Sequence, residues 1–152
     1  MADAAQQQRL IALFASSTIA RSMGLSLSYD EADRALVELP YTGRYDHFLD
    51  DVHGGAIAAM VDNAGWFAAA VRYPTWIVSI EFHVRLHEAA GREPLTAVGT
   101  VLRAGKRITQ AAMEVRNRSG VLVATGSGSF AVTSSPLPEP SERHVAGARR
   151  PS

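Results

Sequence analysis

Cysteine is absent from this chain of 152 residues, lysine occurs once, and no uninterrupted apolar run is long enough to cross a bilayer. Without cysteine the chain can form no disulfide bond, no thiolate zinc site and no cysteine nucleophile. Lys and Arg together number 15, as do Asp and Glu, so the excess positive charge typical of nucleic-acid or membrane-surface binding is missing. Residues 1–9 carry no basic-then-apolar signal pattern. We therefore expect a cytoplasmic protein that binds neither nucleic acid nor membrane.

The most informative pattern that is present is His53-Gly54-Gly55 at the start of an alanine-rich apolar stretch. Two glycines at a helix start leave backbone N–H groups unshielded, and these groups together with the helix dipole favour negative charge, including an oxyanion. Asp62 lies nine positions after His53 among apolar residues, where an unpaired carboxylate is costly to bury. The pattern predicts a helix with a reactive end and a functional carboxylate.

The spacing of apolar residues predicts an α+β order of elements. A first helix is predicted over about residues 6–22, a hairpin over 24–39, and a central helix from near Gly54 to about Arg72. Four strands in a meander are predicted over 76–87, 95–103, 107–117 and 121–132. One antiparallel sheet wrapped around the long central helix would bury both, so residues 1–133 are predicted to form a single domain. Residues 134–152, rich in Pro, Ser and Arg, are predicted to form a flexible tail.

The strand over 76–87 has a clear period of two, with apolar residues at even positions and polar residues at odd positions. This predicts a half-buried strand whose polar face carries Ser79, where it meets solvent, contacts a second subunit or takes part in catalysis. His83 and His87 have the spacing of a ligand pair on a strand, but no carboxylate or cysteine is placed with them. No metal site is therefore expected.

The positions of Gly54 and Asp62 on one predicted helix have a consequence for assembly. They are eight residues apart, which at about 1.5 Å rise per residue is roughly 12 Å along the helix axis. One small reacting group cannot touch both. If both act in one site, they must come from different copies of the chain in a two-fold dimer.

Several segments stand in a register that is typical of one family. They are His53-Gly54-Gly55 with Asp62, the strand opening Val78-Ser79-Ile80-Glu81-Phe82, the turn Ala104-Gly105-Lys106-Arg107, and the ending Gly120-Val121-Leu122-Val123-Ala124-Thr125-Gly126. With these segments the chain resembles the hotdog-fold acyl-CoA thioesterases of the PaaI-like (phenylacetate-degradation) type. The resemblance covers about residues 40–132.

The resemblance implies a hotdog fold, a homodimer or a dimer of dimers, and hydrolysis of coenzyme A thioesters. No metal and no separate cofactor are implied, since coenzyme A is part of the substrate. Asp62 matches the residue that acts as nucleophile or as general base toward water. His53 and the Gly54 N–H match the groups that polarise the thioester carbonyl, with Gly55 binding substrate beside them. Ser79 matches a strand residue that orients the water in some members.

Some positions and functions stay open on the sequence alone. Six residues before His53 the family commonly has asparagine, whereas this chain has His47, which is either a surface residue or a catalytic group. Arg103, Lys106 and Arg107 either bind the phosphates of coenzyme A or solvate a turn. A non-catalytic acyl-CoA-binding protein and an enoyl-CoA hydratase or dehydratase are the alternative functions. Aromatic residues line an acyl pocket or fill the core: Tyr45, Phe48, Trp66, Phe67 and Trp76.

Overall fold

The computed structural model describes residues 3–140 and shows one antiparallel six-stranded sheet packed against a long helix. The helices are α1 (Ala4–Ser16), α2 (Thr18–Met23) and α3 (Gly54–Ala70). The strands are β1 (Ser26–Tyr29), β2 (Ala35–Leu39), β3 (Thr75–Leu86), β4 (Leu95–Ala104), β5 (Ile108–Asn117) and β6 (Leu122–Pro136). The predicted α+β class, with a sheet around a central helix, is confirmed. Within residues 3–140 no helix is long and apolar enough to span a membrane.

Helix α3 is the centre of the core because small residues let the sheet approach it closely. Met60, Val61 and Ala64 on α3 are completely buried. Gly99 on β4 lies so near the helix that a Cβ atom at this position would be 2.0 Å from the Ala64 carbonyl oxygen. A Cβ at Gly126 on β6 would likewise be 2.5 Å from Val61. The contact between helix and sheet therefore depends on glycine in the strands as well as alanine in the helix.

The sheet order is β1-β2-β4-β5-β6-β3, so the predicted four-strand meander is wrong in one respect. Strand β3 does not pair with β4, which follows it in sequence. The available edge of β4 is occupied by β2, and β3 joins the far side of the sheet next to β6. Strand β3 is consequently an edge strand, and several of its apolar side chains are exposed: Val78, Ile80, Phe82 and Leu86. The prediction of a buried apolar face is therefore wrong for these four side chains, whereas Val84 on the same strand packs against the core.

The predicted first helix over 6–22 is two helices that meet at Ser17. This residue has extended backbone angles, φ −72° and ψ 142°, and ends α1 while capping α2. Its N–H donates to the Phe14 carbonyl at 2.9 Å, and its hydroxyl accepts from the Ala20 N–H at 3.3 Å. Serine competes with the helix for backbone hydrogen bonds and favours a cap, an effect that apolar periodicity does not register.

The predicted boundary between domain and tail at residues 133 and 134 falls inside β6. Pro136 is paired with Thr75 at the start of β3, and Leu137 is buried. Arg9 of α1 donates to the Leu137 carbonyl at 2.8 Å. These are contacts between distant parts of the chain, which composition does not reveal. Residues 141–152 of the predicted tail lie outside the described residues.

Candidate active site

Asp62 and Ser79 meet at the wall of a cavity between α3 and β3. The Ser79 hydroxyl donates to the Asp62 Oδ1 atom at 3.1 Å. Burial raises the pKa of the Asp62 carboxyl above its usual range, and the hydrogen bond from Ser79 acts in the opposite direction. The cavity has a volume of about 590 Å³. A general base or nucleophile is expected to be a partly desolvated group beside a space that can hold a substrate, and the Asp62 carboxylate meets both conditions.

A β-bulge at Ile80 brings Ser79 to the helix side of the sheet. Ser79 pairs with the buried Phe130 of β6, whereas Glu81 pairs with the next residue, Ser129. Ile80 is the extra residue, so side chains beyond it change faces. Ser79 therefore faces α3 while Glu81 lies on the outer face. The sequence prediction that placed both on one polar face is wrong, because simple alternation does not allow for a bulge.

The remaining walls of this cavity are mostly apolar and come from α3, β3 and two further segments. Trp66 and Trp76 pack with ring centroids 4.8 Å apart, and the Trp66 indole N–H donates to the Ile77 carbonyl at 3.1 Å. The junction of α1 and α2 and the segment after β6 complete the lining: Leu13, Ser16, Ser17, Thr18, Ile19, Pro138 and Glu139. Sequence reasoning missed the contribution of these two segments, since nothing local in them signals a site.

The start of α3 carries the second group of expected site residues. His53 caps the helix, and its Nδ1 atom accepts from the Gly55 N–H at 2.8 Å. A neutral ring that accepts through Nδ1 carries its proton on Nε2. Among residues 3–140 no acceptor is bonded to the Gly54 N–H. The free donors at this helix start are thus the Gly54 N–H and the His53 Nε2–H, whereas the Gly55 N–H is already used.

His53, at this helix start, borders a different cavity from the one at Asp62. The second cavity has a volume of about 430 Å³ and is lined by His53, Gly55, Ala56, Ala59, Ile19, Met23, Tyr45 and Asp46. Ile19 borders both cavities, so they are neighbours along α3. Within one chain the structure does not bring the Asp62 carboxylate and the free donors at the start of α3 together.

The other expected site residues lie outside both cavities. His47 is in the loop before α3, where its Nδ1 atom accepts from the Leu49 N–H at 3.0 Å. Arg103, Lys106 and Arg107 are exposed around the turn between β4 and β5. Among residues 3–140 none of these three forms an ion pair. They are free to meet an anionic ligand or solvent.

Comparison with known proteins adds two kinds of similarity. The sequence model of the thioesterase superfamily matches residues 49–124, which include Asp62 and the start of α3. A protein of Saccharolobus solfataricus that is provisionally named an esterase is 32% identical over 101 residues, covering 66% of this chain and 72% of that protein.

Among solved structures, the E. coli PaaI protein from the phenylacetic acid degradation operon superposes with a TM-score of 0.78. It is 18% identical, and the match covers 88% of this chain and 96% of that one. A thioesterase of Haemophilus influenzae gives a TM-score of 0.77 at 18% identity, covering 84% and 90% of the two chains. The predicted hotdog fold is confirmed by these superpositions.

Proposed function

Since the chain belongs to the thioesterase superfamily, we propose that it is a PaaI-like hydrolase that cleaves acyl-CoA thioesters with Asp62 as the catalytic carboxylate. The observation that carries the proposal is the partly buried Asp62 carboxylate facing a mostly apolar cavity, with Ser79 as its hydrogen-bond donor. A protein that only binds acyl-CoA gains nothing from a desolvated carboxylate at this place.

In the proposed reaction Asp62 removes a proton from water as the water oxygen attacks the thioester carbonyl carbon. The carbon–sulfur bond then breaks, and coenzyme A leaves as a thiol after taking up a proton. The raised pKa of Asp62 makes it a stronger base than an exposed aspartate. Ser79 orients the carboxylate. Direct attack by the carboxylate, through an anhydride that water then hydrolyses, uses the same geometry.

The start of α3 supplies the other half of the proposed chemistry. The Gly54 N–H and the His53 Nε2–H have no partner among residues 3–140 and can donate to the oxyanion that forms on the carbonyl oxygen. The positive end of the helix dipole adds to this stabilisation. The Gly55 N–H is excluded as a donor unless the His53 ring moves, because it is bonded to Nδ1.

A complete site requires two copies of the chain. Asp62 and Gly54 lie about 12 Å apart along α3, so one thioester cannot contact both in one chain. The free edge of β3, with its exposed apolar side chains, supports a homodimer in which Asp62 of one subunit works with Gly54 of the partner subunit. A dimer of dimers is compatible with the same site. In this arrangement Arg103, Lys106 and Arg107 are candidates to bind the phosphates of coenzyme A.

The Asp62→Asn variant tests the proposal. We expect thiol release from a panel of short, medium, long and aryl acyl-CoA thioesters to fall by at least about two powers of ten, because the base is lost while the shape is kept. Asp50→Asn, at an exposed aspartate paired with Arg92, is the matched control and should retain full activity. Undiminished hydrolysis by folded Asp62→Asn protein would refute the assignment. Consumption of an enoyl-CoA without thiol release would instead indicate the hydratase alternative.

A further inference from the structure

We propose that Arg9 of α1 determines the length of the acyl group that the protein accepts, because it holds residues 137–139 across the far end of the cavity at Asp62. These three residues follow β6 and form the wall segment. The inference rests on the proposed function for its substrate and assigns a residue that limits the size of that substrate. Part of its test needs no hydrolysis, so the two proposals can fail separately.

The cavity extends along α3 from Asp62 to an aromatic end. At one end the Ser79 hydroxyl donates to Asp62. At the other end Trp66 packs against Trp76, and both rings line the cavity. Trp66 follows Asp62 by about one helical turn, which is roughly 6 Å along the helix axis. The apolar part of a thioester whose carbonyl carbon lies at Asp62 is therefore expected to extend toward the two tryptophans.

The wall segment lies at the aromatic end. Pro136 pairs with Thr75, the first residue of β3, and Trp76 is the next residue of that strand. The wall segment begins directly after Pro136, and two of its residues, Pro138 and Glu139, line the cavity. An acyl chain that extends past the tryptophans meets this segment. The position of the segment therefore sets the longest chain that fits.

Arg9 fixes the position of the wall segment. Its Nη2 group donates to the Leu137 carbonyl at 2.8 Å and to the Glu139 Oε1 atom at 2.7 Å. Within residues 3–140 no other group is hydrogen-bonded to the wall segment. Arg9 does not line the cavity, whereas Leu13, one turn later on α1, does. Arg9 is thus a positioning residue that acts on the acyl group through the wall segment.

The two bonds from Arg9 can be removed without destroying the fold. The Arg9 Nε–H is buried and has no hydrogen-bond partner within residues 3–140. Replacing Arg9 by alanine therefore removes an unsatisfied donor together with the two bonds, and the two effects on stability partly cancel. Leu137 stays anchored because its side chain is buried in the core. We expect Arg9→Ala to fold with a wall segment that can move away from the cavity beyond Leu137.

Occupation of the cavity can be measured without hydrolysis. The chain has two tryptophans, and both line this cavity, so intrinsic fluorescence reports its contents. The probes are primary alcohols from butanol to dodecanol. Each methylene that enters an apolar space strengthens binding about four-fold. The affinity should rise by this factor per methylene until the chain reaches the wall segment, and it should stop rising at that limiting length.

Arg9→Ala should raise the limiting length by at least about two methylenes, which is a gain of about ten-fold or more in affinity for alcohols beyond the original limit. Arg9→Lys keeps a charged donor and should stay within about one methylene of the original limit. Arg21→Ala is the matched control, because Arg21 is an exposed arginine of α2 that forms no ion pair within residues 3–140. An unchanged limit in folded Arg9→Ala protein would overturn the inference.

Glu139→Lys keeps the test decisive if Arg9→Ala does not fold. The Glu139 side chain is largely exposed, so its replacement does not disturb the core. A lysine at this position is about as long as the glutamate but repels Arg9. Glu139→Lys should therefore raise the limiting length, whereas Glu139→Gln, which keeps an acceptor for Arg9, should not. Equal limits in these two variants contradict the proposed role of Arg9.

Hydrolysis of saturated acyl-CoA thioesters, from acetyl-CoA to palmitoyl-CoA, provides the second readout. The value of kcat/KM should fall beyond the limiting length, and Arg9→Ala should move this fall to longer chains. A shift with the alcohols but no thioester hydrolysis would support the role of Arg9 at the cavity and refute the proposed function. Hydrolysis with a chain-length profile that Arg9→Ala leaves unmoved would refute the role of Arg9 and leave the proposed function intact.

Discussion

At Asp62 the proposed function and the stability of the fold make opposite demands. The one hydrogen bond that its carboxylate accepts among residues 3–140 comes from Ser79, and burial disfavours the charged form. A raised pKa means that the folded protein binds this proton more tightly than the unfolded chain does. The carboxylate therefore reduces stability as the pH rises from the ordinary pKa of aspartate through the raised pKa in the folded state. The chain retains a group that its core would be more stable without.

Removing the Ser79 hydroxyl should shift the pH dependence of hydrolysis. The hydrogen bond from Ser79 lowers the pKa of Asp62 against the effect of burial, so Ser79→Ala should raise that pKa further. Because the base must be unprotonated, the acid limb of kcat/KM is expected to move to higher pH. Ser79→Thr keeps a hydroxyl and should restore the original limb. Measured pH profiles that coincide for Ser79→Ala and the unmodified protein would show that Ser79 does not act on Asp62.

At the residue scale the sequence is enough to propose Asp62 and the start of α3 as site candidates, but it does not predict the face that Ser79 occupies. The carboxylate is conspicuous because it interrupts an apolar helix, and His53 precedes two glycines. The side of the sheet on which Ser79 lies is decided by the bulge at Ile80, which exists only in the pairing of β3 with β6. Local alternation contains no information about that pairing.

At the scale of elements, α3 lies so close to β4 that the strand has no room for a side chain at Gly99. Gly99→Ala would place a methyl group 2.0 Å from the Ala64 carbonyl oxygen, which is part of a helix backbone and cannot rotate away. We expect a loss of at least about 2 kcal/mol in the free energy of unfolding, measured by denaturant at fixed protein concentration. Thr100→Ala, at the exposed neighbouring position, is the control and should change stability little. Equal stability of the two variants would show that helix and sheet can separate without cost.

The order of elements could be predicted from the sequence, whereas their terminations could not. The change of period from helix to strand after α3 is a local pattern, and the structure follows it. The helix break at Ser17 depends on a hydroxyl that caps α2. The segment up to Leu137 contacts Arg9, which is more than a hundred residues away in sequence. The predicted ends of these elements therefore differ from the observed ends for two reasons. A serine side chain competes for backbone hydrogen bonds, and residues far apart in sequence make contact.

At the scale of the whole molecule, the proposed site can be tested by mixing two inactive chains. Gly54→Pro removes the proposed oxyanion donor, and proline is tolerated at the first position of a helix because its missing N–H would be unpaired there. His53, with φ −63° and ψ 137°, already has a backbone conformation suited to precede proline. Gly54→Ala adds a similar carbon next to Leu86 but keeps the N–H, so it separates loss of the donor from crowding at the strand.

Asp62→Asn and Gly54→Pro chains should each be inactive alone and should regain activity when they are refolded together. In a mixed dimer with shared sites, one site carries both defects and the other carries neither. Random pairing makes about half of the dimers mixed, and each of these has one intact site of two, so about a quarter of the original activity is expected. If both groups acted within one chain, every site would keep one defect and the mixture would stay inactive. Mass spectrometry of the refolded mixture must show heterodimers, and only an inactive mixture that contains them argues against sites built from two chains.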